Sequence, residues 1–203
     1  MKKARFKLSF VLSVFAAILI ATSVSVSAQS VNISNVSIKN FGQMDERFFR
    51  GGQPKQDEYK QLAALGVHTI IDLTDDPKSY EKSSAEAVGM QYVNIAMSDK
   101  SYPEAAKIDQ FLKLVDDPTT GKFYVHCAGG RHRTGVMGAV YRFNHYNWNY
   151  DQVYAEMKNY DFYTRWGHGD MKKFVEDYAV SFQAKHAAAT ATASGTSGAK
   201  QEK

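Results

Sequence analysis

The one cysteine in the 203-residue chain, Cys127, stands in the run His126-Cys127-Ala128-Gly129-Gly130-Arg131-His132-Arg133-Thr134-Gly135. A β-branched and aromatic stretch leads into it, two adjacent glycines follow, and a helical pattern begins near Thr134. A strand that turns tightly into a helix makes an anion cradle: the amides of the turn point inward, and the helix N-terminus adds unpaired donors and a positive dipole end. The field that holds a phosphate also favours a thiolate, so Cys127 is expected to ionise readily and act as a nucleophile. Arg133 lies at the far side of the same loop, and its planar guanidinium can grip two phosphoryl oxygens as a lysine cannot. The Thr134 hydroxyl can donate to the sulfur, steadying the thiolate and easing its later departure from phosphorus. His126 either organises the loop from behind or is a satisfied core histidine. Ala128, Gly129, Gly130, Arg131 and His132 form the substrate-binding wall, and Arg131 and His132 bring cationic or protonatable groups beside the anion.

His126-Cys127, five intervening residues and Arg133-Thr134-Gly135 together resemble the signature of the protein tyrosine phosphatase superfamily, in its smaller dual-specificity branch. Phe49-Arg50-Gly51-Gly52-Gln53-Pro54, and then Gly66-Val67-His68-Thr69-Ile70-Ile71-Asp72-Leu73, are similar to the opening of the atypical plant and fungal dual-specificity phosphatases and their bacterial relatives. The resemblance covers about residues 47–180 and implies the cysteine-phosphatase fold, a phosphocysteine intermediate, no metal and no cofactor. It also implies an aspartic acid on a loop upstream of the cysteine strand. Asp99, in Ser98-Asp99-Lys100-Ser101-Tyr102-Pro103 after a strand ending at Met97, is the first candidate; Asp75, Asp76 and Asp161 compete with it. The run Gly-Arg-His-Arg-Thr-Gly is similar to Gly-Lys-His-Arg-Thr-Gly of the atypical branch, some members of which act on inositol phosphates or pyrophosphates. The implied substrate is therefore a phosphorylated protein or an inositol-phosphate-type small molecule. A phosphate-binding module of the cell envelope, without turnover, is the competing class. Arg133-Thr134-Gly135 argues against a sulfurtransferase, and redox sensing lacks a resolving cysteine within the chain.

The elements that must hold this loop are readable from periodicity. Strands are expected at 47–50 (a short edge strand), 67–73, 91–97 and 122–126, and helices at 56–65, 79–88, 103–115, 134–145, 150–158 and 170–183. Strands alternating with helices predict an α/β single domain, with a mainly parallel four- or five-stranded central sheet and helices on both faces. Residues 43–183 form that domain, and 29–42 is a loose arm or an added edge strand. Tyr141 to Trp148 reads as packing at a helix end, and Arg165, Trp166 and His168 either line the pocket rim or, the favoured reading, fix the connection into the last helix.

The ends carry different signals. Lys2, Lys3, Arg5 and Lys7, an apolar run and small residues up to Ala28 predict a signal peptide over 1–28, hence export to the periplasm or medium, with membrane contact only through that signal. Those four are among the 25 Lys and Arg; without them 21 remain against 21 Asp and Glu, so the basic balance gives no support for nucleic-acid binding. Residues 184–203, rich in Ala, Thr, Ser and Gly, predict a disordered tail. Oligomeric state leaves no mark on the sequence.

Overall fold

The computed structural model describes residues 33–197, with side chains as far as Thr190. The expected signal peptide lies outside the described residues, as do 198–203. Five strands, β1 (Gly42–Gln43), β2 (Phe48–Gly52), β3 (Val67–Asp72), β4 (Gln91–Asn94) and β5 (Lys122–Cys127), form one sheet in the order β1-β2-β5-β3-β4. All neighbours run parallel except β1, which pairs antiparallel with β2. Parallel neighbours need crossovers, and α1 (Tyr59–Ala64), α2 (Glu81–Glu86) and α3 (Ala105–Asp116) supply them.

The strands alternate their side chains between two cores, so both faces must be covered. Phe48, Ile71, Phe123 and Val125 point into a large core with α3, α4 (His132–Tyr146), α5 (Tyr150–Asn159) and α6 (Gly169–Ser197). Phe49, Ile70 and Tyr124 point into a smaller one with Tyr59 and Leu62 of α1 and Ala85 of α2. The α4 helix runs through the larger layer, with every residue from His132 to Phe143 buried. Asn147 in the left-handed region ends it, and a capping box between Asn149 and Gln152 opens α5.

Two segments depart from the expectation. The strand expected at the edge over 47–50 is interior: β1 covers it, and all five residues of β2 are buried. The described part of the arm follows the second of its two expected forms: Gly42 opens the edge strand β1, with Ile38 buried and Phe41 stacked near Phe49 and Tyr124. Helix α6 also continues through the sequence expected to be a disordered tail, as far as Ser197. Met171, Val175, Ala179 and Phe182 bury its first turns, whereas the side chains from Gln183 to Thr190 are exposed. Apolar periodicity therefore marks where packing ends, and alanine's high helix propensity extends an already nucleated helix beyond it. Among the described residues no helix is long and apolar enough to cross a membrane.

The four parallel strands end at one edge of the sheet, at Gly52, Asp72, Asn94 and Cys127. The loops that leave that edge build the site.

Candidate active site

Cys127 is the last residue of β5, opposite Gly52 on β2, and is buried at 4% exposure. The loop beyond it is held shut from below. Gly130 has φ of +68°, a left-handed conformation, and a Cβ there would lie 2.3 Å from the carbonyl carbon of Gly51. The carbonyl of Gly130 accepts from Arg50 Nη2 at 2.8 Å and from Asn40 Nδ2 at 3.0 Å; Asn40 also donates to the Tyr160 carbonyl at 3.0 Å. Arg50 is wholly buried, its guanidinium 4.0 Å over the Tyr160 ring, and burial lowers its pKa to about 10, so it stays charged at neutral pH. Two donors thus hold a loop carbonyl away from the anion side.

Burial alone pushes the Cys127 thiol up. The Thr134 hydroxyl and amide, the Arg133 charge and the Gly129 amide outweigh it and hold the pKa below the ordinary thiol value. The Thr134 hydroxyl is buried with no aligned hydrogen-bond partner among the described residues, yet lies near enough to the sulfur to favour the thiolate. Arg133 donates through Nη1 to Asp75 Oδ1 at 2.7 Å and to the Met97 carbonyl at 3.0 Å. Its buried Nε has no partner among the described residues and remains free to bind an oxyanion.

These groups surround a cavity of about 160 Å³ lined by Cys127, Ala128, Gly129, Arg131, His132 and Arg133, with Asp99, Tyr163 and His168 completing the wall. Asp99 is the carboxylate in it. Asp75 is spent on Arg133, Asp76 pairs with Lys78 at the surface, and Asp161 lies 3.5 Å from Arg131 Nη2. Arg131 lies along the cavity, with its Nε buried and unpartnered among the described residues.

One expectation needs correction, and two open readings are decided. His132 does not add a positive charge: burial and the neighbouring His168 lower its pKa to about 4, and it lies in the wall as a neutral ring. His168 does more than fix a connection. It is buried, lines the cavity, stacks on His132 with centroids 3.6 Å apart, and its Nδ1–H donates to the Asp99 carbonyl at 2.7 Å. His126, finally, turns from the loop into the core, with Nε2 3.2 Å from Glu81 Oε2 and Nδ1 3.7 Å from Asp72 Oδ1. Those three side chains bring ligand-type atoms within 4.8 Å of one another. Hydrogen-bond donors already occupy the carboxylates: Tyr59 and Gln53 donate to Glu81, and Tyr92 and Thr74 to Asp72. Burial raises the Glu81 pKa, but His126 and Gln53 bring it below the usual carboxylate value. Neither ring nitrogen of His126 makes an aligned hydrogen bond among the described residues, so the ring packs against these bonded carboxylates beneath the cysteine. Asn40, Arg50 and Tyr163 were not foreseen as site residues, and His168 takes the pocket-rim place that was the less favoured reading; of the three, only Arg50, a charge in an otherwise buried strand, leaves a sequence signal.

A family model described as DSP-PTPase phosphatase fused to NAD+ kinase matches residues 21–176. The chain belongs to this dual-specificity phosphatase family. Inositol diphosphatase DSP2 of Oryza sativa subsp. japonica is 27% identical over 128 residues, which is 60% of this chain and 61% of that protein. The core catalytic domain of the PP-IP phosphatase Siw14 from S. cerevisiae superposes with a TM-score of 0.58 at 22% identity, over 68% of this chain and 85% of that one. TpbA from P. aeruginosa superposes with a TM-score of 0.59 at 19% identity, over 68% and 84%. At such identities the two structures establish a shared fold. The phosphatase is thus a dual-specificity enzyme of the tyrosine-phosphatase type, built on the fold its cysteine loop implied.

Proposed function

We propose that this phosphatase hydrolyses phosphomonoesters through a phosphocysteine intermediate, with phosphotyrosine or inositol phosphates as substrates and polyphosphorylated inositols favoured. The observation that carries the reading is the conjunction of a lowered Cys127 pKa with an unpartnered Arg133 Nε in one cavity.

The Cys127 thiolate attacks phosphorus, and the bond from phosphorus to the ester oxygen breaks. Arg133 and the loop amides follow the charge that develops on the phosphoryl oxygens. Asp99, in its protonated form, delivers a proton to the leaving oxygen. Water then attacks the phosphocysteine, Asp99 as carboxylate takes its proton, and the S–P bond breaks to release phosphate and the thiolate, to which the Thr134 hydroxyl donates.

Arg131 carries the preference among substrates. Its side chain runs along the cavity beside the position of the reacting phosphate and can meet a second anionic group. The similarity to an inositol diphosphatase agrees with that preference. Export is part of the same proposal and rests on the basic, apolar and small-residue pattern of residues 1–28.

The test is Cys127→Ser, assayed on an aryl phosphate with chelator present and for vanadate binding. Turnover should vanish while oxyanion binding survives; wild-type activity in that variant would end the reading. A wild-type protein that binds vanadate but hydrolyses nothing would leave the binding module in its place. A panel of phosphotyrosine peptides and inositol polyphosphates, repeated on Arg131→Ala, decides the substrate class. Selective loss on the polyphosphates supports it, and uniform rates remove it.

A further inference from the structure

His168 stands outside the cysteine loop in sequence, yet it connects the two halves of the site. Its ring is 7% exposed and lies flat against His132 in the first turn of α4, with centroids 3.6 Å apart and planes 14° from parallel. Tyr163 closes edge-on over both rings, at 4.4 Å from His132 and 5.6 Å from His168. On its other side, His168 Nδ1 lies 2.7 Å from the Asp99 carbonyl. A carbonyl only accepts, so Nδ1 must carry the hydrogen, and that single bond fixes the tautomer.

The segment that carries Asp99 needs such a tether. Ser98, Lys100 and Ser101 are exposed, and the Asp99 side chain itself is half-buried. The bonds within this loop run from the amides of Lys100 and Ser101 to the Ser98 hydroxyl and shape the turn, while Arg133 Nη1 holds Met97, two residues before Asp99. The bond from His168 reaches the Asp99 main chain from a helix start 69 residues away. Because the same ring is stacked on His132, whose neighbour Arg133 clamps the anion, this imidazole joins the Arg133–Met97 bond in setting the distance from the Asp99 carboxyl to the ester oxygen.

We infer that His168 is a positioning residue for the general acid: its Nδ1–H holds the Asp99 main chain, and its face, resting on neutral His132, holds that carboxyl in register with Cys127. The inference rests on the proposed role of Asp99 and adds to it the group that sets the acid's place. His168 moves no proton itself. What it controls is protonation of the leaving oxygen, and that has a distinct kinetic signature, because a good leaving group departs with little help and a poor one does not.

The experiment compares wild type, His168→Phe, His168→Asn and Asp99→Asn on p-nitrophenyl phosphate and phenyl phosphate. Phenylalanine keeps a flat ring against His132 and loses the donor; asparagine keeps a donor near the Nδ1 position. His168→Phe should lower kcat/KM, which reports the step in which the leaving oxygen departs, about tenfold on phenyl phosphate and clearly less on p-nitrophenyl phosphate, as expected for the loss of one hydrogen bond that orients the acid. Inhibition by inorganic phosphate should stay close to wild type, and His168→Asn should recover much of the loss. Asp99→Asn should show the same dependence on leaving group, more steeply. If Asp99→Asn shows the dependence and His168→Phe loses both substrates equally, the inference falls and the acid assignment stands. If Asp99→Asn itself shows no dependence, the acid assignment fails. Should the variants not fold, nitrogen chemical shifts of the wild-type ring decide: an Nδ1–H tautomer is required, and an Nε2–H tautomer overturns the inference.

Discussion

Replacing Gly130 by alanine tests the loop with the fewest assumptions. The added Cβ would lie 2.3 Å from Gly51 C, 2.5 Å from Gly51 O and 2.6 Å from Gly52 N. All three atoms belong to the backbone of β2, which is buried along its whole length and hydrogen-bonded to β1 and β5, so the strand cannot give way. Ordinary contact begins near 3.4 Å, and the loop must therefore retreat by about 1 Å. The left-handed φ adds about 1–2 kcal/mol for a residue with a Cβ, and overpacking adds about 1–3 kcal/mol. A retreat of that size at the phosphate is expected to lower kcat about 100-fold on p-nitrophenyl phosphate. Gly89→Ala separates the two effects, because Gly89 also has a positive φ, of +80°, but open space around it. It should lose stability of about 1 kcal/mol and keep its activity. Thermal melts and steady-state rates on both variants make the comparison. A Gly130→Ala protein with kcat within threefold of wild type would refute the claim that the β2 backbone sets the loop.

Two further outcomes follow. Asp75→Ala should lower kcat/KM about three- to tenfold, consistent with an exposed ion pair of about 1 kcal/mol that orients Arg133, and by the same factor for good and poor leaving groups; a loss confined to poor leaving groups would make Asp75 the acid instead. Stability should fall as pH drops from about 6.5 towards about 4, because the unfolded chain then takes up a proton that buried His132 refuses. Linkage sets a ceiling of about 1.4 kcal/mol per pH unit, and partial solvation brings the whole change to about 1–2 kcal/mol; denaturant melts of His132→Phe should show a flatter dependence over that window.

The sheet was legible because its strands are short apolar runs between glycine and proline turns, and because the Cys127 loop needs a strand before it and a helix after it. The place of Asp99 in the cavity wall was legible for the same reason: in a parallel sheet the loops that leave the carboxyl edge share one space. The place of β2 was not, since Gly42 and Gln43 are too short a strand to leave a period, and without them Phe48–Gly52 looks like an edge. His132 was misjudged because its charge depends on burial and on His168, which is distant in sequence. Asn40 and His168 act through hydrogen bonds to main-chain carbonyls distant in sequence, and nothing local in the sequence announces such bonds. The length of α6 shows the opposite limit: periodicity reports packing and is silent about a helix that continues on propensity alone.

The central claim is that the loop holds the Cys127 sulfur ionised, and its titration tests that most directly. Thiolate absorbance or alkylation rate, followed against pH with Cys127→Ser as blank, should give a midpoint below the value of about 8.5 for a free cysteine. It should move upward in Thr134→Val, which removes a hydroxyl near the sulfur. A midpoint at or above that of free cysteine, unmoved in Thr134→Val, would contradict the account.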